Sequence, residues 1–349
     1  MSRRHCNETA RAPGHRLEHD STRARAGRRA WPVVAAGCLA LGGIATPREA
    51  LAQVQFPVAF EASASVLTAT ERAQLSSHVA AAGQLWVQEL AIEGPRSIEV
   101  VIGIDDSRPT ANGGSVTSAF VGVAGGRDLF EQGAAAELRS GADPNGAAAD
   151  VRIAFNTTYL RNELWFDPAP ALRTATVPPD RTDAMSVLLH EFGHALAYNG
   201  FANQANGVPQ PTFWSTFDRW MIPGPPTPVR FAGPRAAASH GSNPDLTLNN
   251  IFHWGNMALQ GLRPVPAPAS TAPIRFVDGR PQPPAFEHEP MSIDAAALAA
   301  AMLRPDVLAD ELMNGLYFVR GTRYAISNLD RATLADAGLP MALFRDGFE

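Results

Sequence analysis

Residues 186–198 read Ser186-Val187-Leu188-Leu189-His190-Glu191-Phe192-Gly193-His194-Ala195-Leu196-Ala197-Tyr198. This is H-E-x-x-H inside an apolar, helix-forming run. On a helix, positions 190 and 194 stand one turn apart on one face, so their imidazoles can grip a single ion. Neutral imidazole nitrogen suits zinc at about 2.0–2.1 Å. Glu191 lies one residue further round, beside the coordination position that a three-ligand zinc leaves open. A carboxylate there can take a proton from water. Upstream, Pro178-Pro179-Asp180-Arg181-Thr182 supplies a stop and a helix cap, while Leu188, Leu189, Phe192 and Leu196 supply apolar surface. Gly193 costs about 1 kcal/mol relative to Ala in a helix interior, so a bare position there suggests close approach of another backbone. The competing reading is a surface or core helix with two incidental histidines.

Outward from this helix, the pattern predicts another helix over about 71–91, capped by Thr68 or Thr70. Leu75, Val79, Leu85, Trp86 and Leu90 fall near one of its faces. Residues 97–104, 115–123 and 150–155 read as strands, and 127–139 as a helix ending at Gly141. Residues 201–290 are rich in Pro, Gly, Ser and Asn and are expected to be irregular. Phe213, Trp214, Phe217, Trp220, Phe231, Phe252 and Trp254 nevertheless give that region the aromatic content of something packed. An Ala-rich helix is expected over 292–303. A closing helix starts at the capping-box pattern Ser327-Asn328-Leu329-Asp330 and stops at Gly338. The expected class is α+β: a mixed sheet with helices over 53–200, ending in the H-E-x-x-H helix, then a loop-rich subdomain over 201–349.

The chain has 349 residues, 45% hydrophobic and 18% charged, which allows a sizeable core and rules out wholesale disorder. All 29 basic residues are Arg and the net charge is −5. Residues 1–52 carry nine Arg against four acids, which leaves 20 basic and 30 acidic residues, or −10, beyond Ala52. An acidic body argues against nucleic acid as a partner. Arg-rich residues 3–29, the apolar stretch 31–45 and Ala50-Leu51-Ala52 follow the order of a secretory signal peptide. The apolar stretch is short for a membrane span. The expectation is therefore a secreted or periplasmic protein without a stable membrane span once residues 1–52 are removed. Cys6 and Cys38 both lie in that segment. The exported body would have no thiol, which excludes disulfides, Cys nucleophiles and Cys-ligated metals.

Two histidines leave a tetrahedral zinc one protein ligand short. A compact H-E-x-x-H-x-x-G-x-x-H needs Gly at 197 and His at 200, but the chain has Ala197 and Gly200. No Glu occurs between Glu191 and Glu287, which removes a Glu ligand from a nearby helix. His253, His288 and His240 remain, with Asp218 and Asp245 as weaker donors.

Taken with the segments further downstream, the sequence resembles the metzincin-type zinc proteases, nearest the leishmanolysin-like group. His253-Trp254 follows His194 by 59 residues, Glu311-Leu312-Met313-Asn314-Gly315 resembles a Met-turn, and residues 325–338 resemble the group's closing helix. The likeness spans about 180–340. It implies a zincin-like fold, zinc held by His190, His194 and His253, Glu191 as general base, and Met313 as an apolar floor beneath the imidazoles. It further implies an endopeptidase acting on protein or peptide substrates. The chain departs from the group in a longer run from His253 to Met313 and in lacking its disulfides. Tyr317 or Tyr324 could stabilise an oxyanion, and Arg323 could bind a substrate carboxylate or form a surface salt bridge. Two other readings use the same residues: a non-catalytic exported binding protein with structural zinc, and a zinc hydrolase of non-peptide bonds.

Overall fold

The computed structural model describes residues 54–224, 228–247, 249–255, 274–283, 286–287, 308–315 and 318–342. The segments predicted over 1–52 and 292–303, together with His288 and Tyr317, lie outside the described residues. In chain order the elements that build the site are β1 (Val58–Phe60), α1 (Ala69–Gln88), β2 (Val100–Ile104), β3 (Ala111–Ser115), β4 (Ser118–Ala124), β5 (Arg127–Gln132), α2 (Gly133–Ser140), β6 (Val151–Phe155), α3 (Thr157–Asn162), α4 (Ala184–Leu196), β7 (Phe213–Ser215), α5 (Pro234–His240), β8 (Leu246–Thr247), β9 (Asn250–Trp254), β10 (Phe286–Glu287) and α6 (Asn328–Asp336). They make a mixed α+β structure, with six α-helices and several small sheets among the described residues. No helix among those residues is long and apolar enough to cross a membrane.

The largest sheet has the order β10-β3-β6-β2-β1. Strands β1, β2 and β6 run parallel, while β3 and β10 join antiparallel. One face of the central strands is apolar and buried, with Val100, Ile102, Val151 and Ile153 at alternate, paired positions, while Arg152 on the opposite face pairs with Glu61. A second sheet, β7-β5-β4, flanks it.

Helix α1 starts at Thr68, whose hydroxyl accepts from the Glu71 N–H while the Glu71 carboxylate accepts from the Thr68 N–H. Leu75, Val79 and Trp86 point into the core, and the Trp86 indole N–H donates to the Leu189 carbonyl on α4 at 2.9 Å. That bond fixes the height of α1 against the H-E-x-x-H helix. Trp86→Ala removes both the bond and a side chain only 1% exposed. We expect it to cost about 3–5 kcal/mol in urea unfolding; a loss within experimental error would show that α1 is not part of the core.

Residues 127–139 are not one helix. Arg127–Gln132 is strand β5, paired with β4 on one side and β7 on the other, and the helix covers only Gly133–Ser140. Leu129 and Phe130 are adjacent and both buried, as a strand covered on both faces permits. Gly141 ends α2 in the left-handed region at φ 76, as expected of a C-cap glycine. The strand expected over 115–123 is β4, Ser118–Ala124; Ser115 instead ends β3, which belongs to the larger sheet.

The loop-rich region after α4 is packed around its aromatic residues. Phe217, Phe231, Phe252 and Trp254 are fully buried. Ring centroids stand 4.5 Å apart for Phe217–Phe231 and 5.5 Å for Tyr198–Trp254. This cluster holds β9 beneath the end of α4.

Candidate metal centre

Helix α4 is buried all round, from Ala184 to Leu196. Its cap is Asp183, just past the Pro178–Thr182 segment expected to supply one. The Asp183 carboxylate accepts from the Ser186 backbone N–H and hydroxyl and is held by Arg173 at 3.0 Å. Thr182 instead extends a two-residue parallel pairing with Leu164–Trp165.

Two elements deliver three imidazoles to one point, and a turn braces them. His190 and His194 come from one face of α4. His253 comes from β9, paired antiparallel with β8 across a turn in which Asn249 takes φ 63, a left-handed conformation Asn tolerates. The Glu311–Gly315 turn joins strand to helix. Its Met313 carbonyl accepts from the Trp254 N–H, Gly315 N–H donates back to the Trp254 carbonyl, and the Leu312 carbonyl accepts from His190 Nδ1.

The geometry fits a metal ion. The three Nε2 atoms are mutually 3.0–3.1 Å apart. Each ring's Nδ1 faces a carbonyl oxygen: Leu312 for His190 at 2.8 Å, Tyr198 for His194 at 2.7 Å, Asn250 for His253 at 3.2 Å. A carbonyl only accepts, so each Nδ1 carries the proton and each neutral ring turns an Nε2 lone pair inward. Three lone pairs converging at this distance repel one another unless a cation lies between them, and an ion about 2.0–2.1 Å from each nitrogen satisfies the triangle. Burial lowers the His190 pKa to about 4, and burial with the neighbouring His190 holds His194 well below the ordinary range. Both rings are therefore neutral near pH 7, as ligands must be.

Supporting groups lock this arrangement. Tyr198, whose carbonyl orients His194, donates its hydroxyl to Asp330 on α6 at 2.9 Å. A side chain at Gly193 would place its Cβ 2.4 Å from Met313 Sδ, so Met313 lies against the helix between its two histidines. The close approach expected at Gly193 is thus made by a side chain, not by a backbone. A Cβ at Gly315 would stand 2.7 Å from the Cβ of His253.

Glu191 is packed against β3 and is not one of the three ligands. A Cβ at Gly113 would lie 2.7 Å from the Glu191 Cβ and 3.0 Å from Oε2. Glu191 is fully buried and neither carboxylate oxygen has a hydrogen-bond partner among the described residues. That burial raises its pKa well above the usual carboxylate range. Tyr159 on α3 is close enough that the Glu191 charge, after burial, pushes its phenol upward too. Nothing in the sequence marked Tyr159, because α3 lies far from the motif and a tyrosine after a capping Asn is common.

The other candidates serve elsewhere. His240 ends α5 outside the triad. Asp218 accepts from the backbone N–H groups of Phe201 and Ser215, and its carboxylate fills the space a Cβ on Gly200 would need. Asp245 bridges to Arg230 through its backbone. Arg323 pairs with Asp167 at 2.6 Å, and the Tyr324 hydroxyl accepts from the Val319 N–H. Compared with known protein families, curated proteins and solved structures, the chain has no significant match.

Proposed function

We propose that this chain is an exported zinc-dependent endopeptidase, with His190, His194 and His253 as zinc ligands and Glu191 as general base. The observation that carries the reading is the pairing of a closed three-nitrogen triangle with a buried carboxylate that has no structural partner. A carboxylate so placed costs stability without a structural return, which argues for chemistry. The sequence likeness to metzincin-type proteases and the seat of Met313 beneath the histidines support the same reading. The signal-like order of residues 1–52 supports export. Among metals, a three-imidazole set is characteristic of catalytic zinc.

Zinc bound there would supply Lewis acidity, polarising a carbonyl and lowering the pKa of water to about 7. The chain's own residues do the rest. Glu191 accepts a proton from the attacking water as oxygen bonds to the scissile carbonyl carbon. It then gives that proton to the amine nitrogen as the C–N bond breaks, so the carboxylate is regenerated. The Nδ1–H donations to Leu312, Tyr198 and Asn250 hold the three rings in the ligating tautomer. Among the described residues strand β4 is an edge of its three-stranded sheet and exposes Phe120 and Val123, which suits pairing with an extended, apolar peptide.

One observation favours a second reading. His190, Glu191, His194 and His253 are at most 1% exposed, as expected of a structural metal in a non-catalytic binding protein. A peptide-library digest separates the two. The first reading expects cleavage that stops with a zinc chelator and returns with added zinc. A zinc-loaded chain that cleaves nothing would favour the second.

A further inference from the structure

A second group of acids stands apart from the histidine triangle, where the C-terminal half of α2, the following loop and the start of β6 meet. Glu137, Asp143 and Asp150 each offer a carboxylate oxygen there, all within 4.8 Å of one another. Asp143 is exposed, whereas Glu137 is 6% and Asp150 0% exposed. Two of the buried oxygens, Glu137 Oε2 and Asp150 Oδ1, have no hydrogen-bond partner. In the same loop Asn145 Oδ1 is also buried without a partner, while its amide nitrogen donates to the Ala148 and Ala149 carbonyls.

Asp150 Oδ2 accepts from the Glu99 N–H at 2.8 Å, and the Glu137 and Asp150 carboxyls stand within hydrogen-bond reach of each other. Glu99 also faces Asp150, and its own carboxylate accepts from the Ser97 hydroxyl at 2.6 Å. Arg96 is the cation whose field reaches Glu137. Its guanidinium donates to the backbone carbonyls of Pro95, Glu137 and Leu138. Buried carboxylates gathered this closely repel one another when charged, and oxygen-only donors on a partly open loop match a hard cation. Three carboxylates with one side open to water suit the flexible oxygen shell of calcium better than the near-ideal octahedron that magnesium demands.

We propose that Glu137, Asp143 and Asp150 form a calcium site that fastens the 141–149 loop to the sheet. The site completes its shell with water on the exposed Asp143 side. Because α2 packs on α4, calcium would stiffen the scaffold behind the metal centre without touching it.

The test is thermal unfolding of the zinc-saturated full chain against calcium chloride, with magnesium chloride in parallel. Wild type is expected to gain about 4 °C at a hundredfold excess of calcium over Kd, with the half-effect near 0.1–1 mM, and less from magnesium. Asp150→Asn and Asp143→Asn are both expected to lose the response. Should Asp150→Asn fail to fold, the exposed Asp143→Asn carries the comparison. A wild-type melting temperature unmoved up to about 10 mM calcium, with no calcium retained in equilibrium dialysis, would overturn the proposal and leave the buried acids sharing protons. An equal response in Asp143→Asn would also overturn it.

Discussion

Glu191→Gln is expected to leave zinc bound and to lower peptide hydrolysis by about 10²–10⁴-fold, the range that a positioned general base contributes. The amide has nearly the same shape but cannot accept the proton of the attacking water. Glu191 is not one of the three nitrogens of the triangle, so metal content should stay at the wild-type value. The stability change should run the other way. Both Glu191 oxygens are buried without a partner, and burial disfavours their charge. A neutral amide at that position is therefore expected to melt at or above the wild-type temperature. The combination of lost rate, kept zinc and undiminished melting temperature separates a chemical role from a structural one. Progress curves on a fluorogenic peptide, beside metal analysis and calorimetry of the same sample, provide the readouts. An unchanged rate would remove Glu191 from the mechanism.

His253→Ala is expected to weaken zinc binding by more than about 100-fold, since loss of even a hydrogen-bond partner behind a ligand costs 10–100-fold. It leaves only His190 and His194, whose Nε2 atoms are 3.1 Å apart. The β9 backbone, held to the Glu311–Gly315 turn by two hydrogen bonds through Trp254, should keep its path. Competition with a chromophoric chelator gives the affinity. His240→Ala and His288→Ala serve as controls. His240 lies at the end of α5 and outside the triangle. Wild-type affinity in His253→Ala, or its loss in His288→Ala, would reassign the third ligand.

The H-E-x-x-H helix was legible because its evidence is local: two histidines one turn apart, an apolar face and polar residues before it. Its cap, Asp183, lies just past the Pro178–Thr182 segment expected to supply it, because Thr182 is used in a strand pairing with Leu164 that no local pattern reveals. The cap at Thr68, one of two candidate threonines, and the capping box at Ser327 were readable for the same local reason. Strand β5 was read as helix because Arg127–Arg139 carries good helix formers; pairing with β4 and β7 overrides that preference. The third ligand stayed open in the residues alone, since His253 reaches the site only through the β8–β9 hairpin and the Glu311–Gly315 turn. The carbonyls that fix the tautomers were invisible, because every residue has one. The acids of the α2–β6 corner drew no notice for a related reason: their 13 positions from Glu137 to Asp150 follow no motif spacing.

The most direct test of the account is X-ray absorption at the zinc edge on the purified chain, together with its metal stoichiometry. The account predicts one zinc per chain with three imidazole nitrogens at about 2.0–2.1 Å and a lighter oxygen scatterer in the remaining position. A chain that purifies without metal and takes up none on zinc addition would contradict it, as would a zinc shell containing fewer than three imidazoles.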